Sequence, residues 1–186
     1  MKLILASGSP RRKELLGKLN IPFEVIVSDC DETLPEGIPA DAAAELLAVR
    51  KAAAVAKEHP DAVVIGADTT VLLDDEILGK RQDEADCKRM LHALSGRMHK
   101  VVTGVAIFWD GHSASFSDET GVQFYPLSNA EIDAYAASPE PYDKAGAYGI
   151  QGQGALLVAG IHGDYYNVVG LPVARLARQL RDFRLI

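Results

Sequence analysis

Cysteine is scarce in this chain of 186 residues: Cys30 and Cys87 are the only two, and their wide separation matches neither a zinc-ligand pair nor a C-x-x-C redox motif. That argues against a disulfide framework and for free thiols in a reducing compartment, so a cytoplasmic location is expected. The five histidines include no H-E-x-x-H pair, and no zinc site is expected. No apolar run reaches the ~18 residues a membrane span needs. The opening MKLILASGSPRR has one early lysine and a short apolar run before serine and arginine, which predicts no signal peptide. Positive charge is also in deficit, 19 Lys+Arg against 26 Asp+Glu for a net charge of −7. This argues against a nucleic-acid polymer or an anionic membrane as partner, and an anionic ligand would need basic residues concentrated locally. Repeats, low-complexity tracts and long linkers are missing too. With 48% hydrophobic residues, one domain spanning 1–186, or one domain of two lobes, is the expected organisation.

What is present alternates between helix and strand patterns. Lys2 to Ala6 reads as a short buried strand, Arg11 to Asn20 as a helix and Phe23 to Val27 as a second strand. An acidic stretch, Asp29 to Glu32, and a loop from Leu34 to Pro39 precede an alanine-rich helix, Asp41 to Glu58. Ala62 to Gly66 is a β-rich run leading into Ala67-Asp68-Thr69, which places Asp68 at the carboxyl end of a strand. Val71 to Leu78 reads as a hairpin, Asp83 to Leu94 as a helix, and Met98 to Trp109 and Ser113 to Tyr125 as two long strands. Ser128 and Glu131 form a capping box for a helix from Ala130 to Ala137, which Pro139-Glu140-Pro141 breaks. Tyr142 to Pro172 is glycine-dense, and a last helix runs from Pro172 to Phe183. The expected fold class is α/β, with a mixed, partly antiparallel central sheet flanked by helices.

Several residues have types and positions suited to phosphate chemistry. Ser9 is a natural N-cap and Pro10 a natural first residue, which puts Arg11 and Arg12 in the first helical turn, at the positive end of the dipole. A bound phosphate would relieve that conflict, with Ser7, Ser9 and the two guanidinium groups as donors; a solvated basic helix start is the plainer alternative. It is not a Walker loop, because no Gly-Lys-Ser/Thr follows. Asp68, followed by Thr69 and Thr70, is a candidate base or ligand for a hard divalent cation, Mg²⁺ or Mn²⁺, and Glu32 could add a carboxylate or belong to a solvated acidic loop. Lys51 and Lys80, each taken alone, also fit an ordinary exposed lysine. Asp143 to Gly152 looks like a binding loop in which Gln151 offers a donor and an acceptor to a flat ligand, though a ligand-free glycine turn gives the same sequence. Asn167 to Pro172 is expected to pack the final helix against the sheet.

Taken together these segments resemble the Maf family, once described as septum-formation inhibitors, over nearly the whole chain. The matching motifs, in family order, are Ser7-Gly8-Ser9-Pro10-Arg11-Arg12, Gly66-Ala67-Asp68-Thr69, Ser95-Gly96 through His99 to Val102-Thr103-Gly104-Val105, Asp143 to Gly152, and Val169-Gly170-Leu171-Pro172. The resemblance implies a Maf/ITPase-like fold of two lobes around a cleft, a homodimer, and hydrolysis of nucleoside triphosphates between the α and β phosphates. Asp68 matches the family's proton acceptor. Glu32, Lys51 and Lys80 match charged positions around the phosphates and the metal. Arg11, Thr69 and Gln151 match the base-selecting positions, with the identities of the dTTP/UTP branch. The alternatives are a purine-directed pyrophosphatase for 7-methyl-GTP or ITP-like substrates and a nucleotide-binding regulator of cell division. One departure stands out: Gly79-Lys80-Arg81 replaces the usual Gly-Lys-Pro, and loss of that proline is expected to loosen the Lys80 loop.

Overall fold

The computed structural model describes residues 2–186. Among them seven strands and six α-helices follow one another as β1 (Lys2–Leu5), α1 (Pro10–Gly17), β2 (Glu24–Val25), α2 (Ala43–Glu58), β3 (Ala62–Leu73), β4 (Glu76–Leu78), α3 (Glu84–Leu94), β5 (Met98–Trp109), β6 (His112–Phe124), α4 (Asn129–Ala136), β7 (Val158–His162), α5 (Tyr165–Val169) and α6 (Val173–Asp182). The sheet order is β2, β1, β3, β5, β6, β7, with β4 paired to β3 alone. β1 runs parallel to β2 and β3, whereas β3 with β4 and β6 with β7 are antiparallel. This is the mixed α/β sheet that the alternation of patterns predicts.

The chain forms two compact units: one of residues up to Thr69 with Thr103–Asp118 and Gly170–Ile186, the other of Thr70–Val102 and Glu119–Val169. In the first, Ile4, Val64 and Ala106 of the sheet pack against Ala48, Ala52 and Val55 of α2. The small residues on α2 have a purpose. A Cβ on Gly66 of β3 would lie 2.5 Å from the Ala48 carbonyl oxygen and 2.8 Å from the Ala52 nitrogen, and one on Gly104 of β5 would overlap the Ala44 and Glu45 backbone. The helix therefore rests on strand backbone at two points. α6 adds Val173, Leu176, Ala177 and Leu180 at i, i+3, i+4 and i+7, the spacing of a one-faced helix.

In the second unit Cys87, Met90, Leu91 and Leu94 form the same kind of stripe on α3, packed with Val101, Phe124, Ile132 and Tyr135. Both cysteines are free thiols, and burial pushes the Cys87 thiol up. The Ser128–Glu131 capping box is formed in full, each side chain accepting from the other residue's backbone N–H. His99 is enclosed by the rings of Phe124 and Tyr148, with Nε2 2.6 Å from the Tyr148 hydroxyl. Burial pushes its pKa down from 6.5 to about 4.

The main departures from expectation are in strands. β3 does not end near Gly66 but continues to Leu73, so Asp68 lies within it. The strand changes partner along its length: Ala62–Ile65 pair with β1, and Val71–Leu73 pair with β4. Asp68 is thus past the end of the parallel ladder without being at the end of the strand. β2 is shorter than expected because its ladder to β1 is limited to Ile4 and Leu5. β7 and α5 fall in the glycine-dense segment, where no strand or helix was expected; β7 is ordered by pairing with Gly121–Phe124 of β6. No helix of the described residues is long and apolar enough to cross a membrane.

Two outcomes are expected. Gly104→Ala should lower the unfolding free energy by ~3 kcal/mol through overpacking against α2, measured by urea denaturation; a loss below ~1 kcal/mol would contradict direct helix-on-strand seating. For His99, the folded-state pKa is depressed, so the unfolded chain binds the extra proton between pH 6.5 and about 4. Stability is then full above pH 6.5 and falls as pH drops through that window. Between pH 7 and pH 5 the wild type should lose about 2 kcal/mol more than His99→Gln; parallel pH dependences would contradict the buried neutral imidazole.

Candidate active site

The first unit gathers most of the candidate residues around the start of α1. Ser9 caps the helix, its Oγ accepting from the Arg12 N–H at 3.4 Å, and Pro10 follows as expected. The first turn carries no acidic residue. Arg12 turns its guanidinium back into the protein: Nε donates to the Gly170 carbonyl at 2.8 Å, Nη1 to Ser7 Oγ at 3.3 Å and Nη2 to Thr69 Oγ1 at 2.9 Å. Ser7 Oγ also accepts from the Ser9 N–H at 3.3 Å, which fixes the turn. Burial pushes the Arg12 pKa below its ordinary value; Asp68 opposes this, Arg11 reinforces it and Glu32 opposes it.

Asp68 and Lys51 form the centre of the carboxylate group. Strand alternation points Asp68 to the same face as Gly66, where α2 lies, and there Lys51 Nζ meets Asp68 Oδ1 at 2.6 Å. The same ammonium is 3.1 Å from Glu32 Oε1. Lys51 and Asp68 are largely enclosed, at 12% and 14% side-chain exposure, whereas Glu32 at 59% faces solvent. Arg50, the next residue on α2, donates to the Thr33 carbonyl at 2.6 Å and the Asp31 carbonyl at 3.1 Å. It thereby holds the acidic loop against the helix and places Glu32. Thr69 points to the opposite face, and its hydroxyl is 2.9 Å from that of Thr103 on β5.

In one unit, therefore, Ser7, Ser9, Arg12 and Thr69 are joined by one set of contacts and Lys51, Asp68 and Glu32 by another, with Arg11 adjacent to Arg12 in the helix. Lys80 and Gln151 lie in the second unit. Lys80 is exposed and bridges Ala145, while the Gly146 N–H donates to the Gly79 carbonyl at 3.1 Å. Arg81 follows Lys80 in this loop. Its guanidinium is buried, 3.3 Å from the centroid of the Tyr142 ring, with Nη1 3.5 Å from the Ala136 carbonyl at the end of α4. Gln151 is exposed on a bend between short turns. Arg50, Thr103 and Gly170 were not singled out from sequence as site residues. Thr103 and Gly170 lie inside matching motifs but without a role of their own, Arg50 carries no local signal, and the segment expected only to pack the last helix supplies a carbonyl to Arg12.

Hydroxyls and guanidinium groups at a helix start, beside a buried carboxylate paired with an ammonium, can hold a polyphosphate and accept a proton from water. The fold is of a class known from solved structures: it is similar to the Ham1 protein of Staphylococcus aureus, with a TM-score of 0.51 and 18% identity over 67% of this chain and 72% of that one. Sequence narrows the class. Residues 2–183 match the Maf-like protein family. The dTTP/UTP pyrophosphatases of Bacillus cytotoxicus and Bacillus mycoides are each 54% identical to this chain over 183 residues, covering 98% of it and 95% of each relative. The chain belongs to the Maf family.

Arg12 donates to three separate acceptors, which a lysine's single ammonium cannot reach together. Arg12→Lys should therefore destabilise the fold by ~2 kcal/mol in urea unfolding. A change within ~0.5 kcal/mol of wild type would show that these contacts do not order the site.

Proposed function

We propose that the chain hydrolyses dTTP and UTP to the nucleoside monophosphate and pyrophosphate, acting as one domain over residues 1–186 in a cytoplasmic homodimer. The observation that carries this reading is the Lys51–Asp68 ion pair, with Glu32 on the same ammonium, in a chain 54% identical to dTTP/UTP pyrophosphatases. Catalysis of anhydride cleavage needs a base for water and cations for the departing pyrophosphate. Asp68 is the base, taking a proton from the water that attacks the α-phosphorus. Arg11, Arg12, Lys51, Lys80 and the Ser7–Ser9 turn meet the phosphate charge. Lys51 leaves the carboxylates partly for the phosphates when the substrate binds. No nucleic-acid polymer or membrane takes part.

The residues fit a divalent cation such as Mg²⁺ or Mn²⁺. Asp68 and Glu32 present oxygens that converge on one point, the Lys51 ammonium, and no group of three or more His, Cys, Asp or Glu is assembled among the described residues. Asp68 and Glu32 would be the residues that hold such a hard cation. When bound, it supplies charge neutralisation at the phosphates.

Base choice belongs to Arg11, Thr69 and Gln151. Thr69 already engages Arg12 and Thr103, which fixes its hydroxyl, and Gln151 offers both a donor and an acceptor for the carbonyl and imide N–H of uracil or thymine. Adenine, which offers neither a carbonyl nor a ring N–H on that edge, leaves such groups unpaired at ~1–3 kcal/mol each.

Asp68→Asn should reduce turnover by ~10²–10⁴-fold while nucleotide binding persists, measured by pyrophosphate release and equilibrium binding. A variant retaining half of wild-type turnover would remove Asp68 from the base role. In initial-rate kinetics on the common nucleoside triphosphates, kcat/KM for UTP and dTTP should exceed that for ATP and GTP by at least about tenfold, and Gln151→Ala should narrow the gap from the pyrimidine side. Preferential cleavage of GTP, ITP or a methylated GTP would overturn the pyrimidine assignment, and nucleotide binding without cleavage would favour a regulator.

A further inference from the structure

Gln151 sits in a loop with little stiffness of its own, since Gly149, Gly152 and Gly154 surround it. Its shape comes instead from one carboxylate. Glu140 Oε2 accepts from the Gln153 N–H at 2.7 Å, and Oε1 accepts from the Gly154 N–H at 3.0 Å and from the Tyr135 hydroxyl at 2.9 Å. Tyr135 in turn accepts from the Gly149 N–H at 3.1 Å. The backbone is therefore held on both sides of Gln151, at 149 and at 153–154, by a single Glu–Tyr pair. Lys144 Nζ donates to the Glu140 carbonyl at 2.6 Å, which secures the carboxylate's own backbone. A Cβ on Gly152 would overlap the Glu140 carboxylate, so the loop is wrapped closely around it. Tyr135 is a buried side chain at the end of α4, whose phenol burial keeps protonated and able to donate.

We propose that Glu140, with Tyr135, is a positioning residue for base selection: it sets the loop that presents Gln151 and touches no reacting atom. The proposal rests on the assignment of Gln151 to the pyrimidine edge made above. A carboxylate suits this place because all three partners are donors. Glutamine at 140 has the same shape but puts an NH₂ where one oxygen stood, so at least one donor meets a donor. Phenylalanine at 135 removes the link to Gly149 and leaves the packing.

The experiment compares wild type, Glu140→Gln and Tyr135→Phe by backbone amide hydrogen exchange and by kcat and KM for UTP and ATP. In both variants exchange at Gly149, Gln153 and Gly154 should quicken at least about tenfold while β5 and β6 amides are unchanged. KM for UTP should rise by about tenfold with kcat within about threefold, and the UTP-to-ATP ratio of kcat/KM should fall towards that of Gln151→Ala. Adding Gln151→Ala to Glu140→Gln should then cost little more, because both changes remove the same contact. A wild type that shows no pyrimidine preference overturns the reading of Gln151 and the proposal with it. A wild type with that preference, together with variants that keep it or lose kcat alone, overturns the positioning role while leaving the reading in place. Should Glu140→Gln fail to fold, Tyr135→Phe decides by the same readouts.

Discussion

The seating of α2 on bare strand backbone is the constraint from which the arrangement of the first unit follows. Gly66 and Gly104 bring the helix so close that any side chain there would collide with it. Asp68 is two residues beyond Gly66 on the same strand, so it shares that face, and Lys51 is one residue before Ala52, whose nitrogen a Cβ at Gly66 would strike. The 2.6 Å contact between Lys51 and Asp68 is thus fixed by packing and not by mutual attraction alone. Thr69, just after Asp68, and Thr103, just before Gly104, turn to the other side, where Arg12 arrives from α1. One strand accordingly separates a carboxylate–ammonium face from a guanidinium–hydroxyl face at adjacent residues.

Electrostatics distinguishes the start of α1 from an ordinary helix end. Two arginines at the positive end of a helix dipole oppose it by a few tenths of a kcal/mol each (~0.3–0.5). Arg12 lowers that tension with neutral acceptors, the Gly170 carbonyl and the hydroxyls of Ser7 and Thr69. Such acceptors leave its positive charge uncancelled. In a chain of net charge −7, this concentration of basic residues is what supports the proposed binding of a polyanion.

Much of this was legible before the structure. Ser9-Pro10 marks the start of α1, the Ser128–Glu131 box marks the start of α4, and the long alternating runs mark β5 and β6, because in each case the deciding interactions are local. The residues of the first-unit site were legible as types and the family resemblance ordered them, but their pairing was not: Lys51 reads as an ordinary surface lysine until α2 is laid on β3. β3 is longer than its local sequence indicates because its second half is ordered by β4, a partner supplied by tertiary pairing. β7 was missed for the same reason. Arg81 shows a contact that sequence does not reveal, its buried guanidinium lying against the Tyr142 ring. Glu140 lay between two prolines and read as a helix break; nothing local reveals that three donors from elsewhere converge on it.

The proposed reaction centres on attack of water at the α-phosphorus with departure of pyrophosphate. Hydrolysis of UTP in ¹⁸O-labelled water, read by mass spectrometry of both products over a single turnover, tests this directly. The account predicts one labelled oxygen in the monophosphate and none in the pyrophosphate. Label in the pyrophosphate would mean attack at the β-phosphorus and would contradict it.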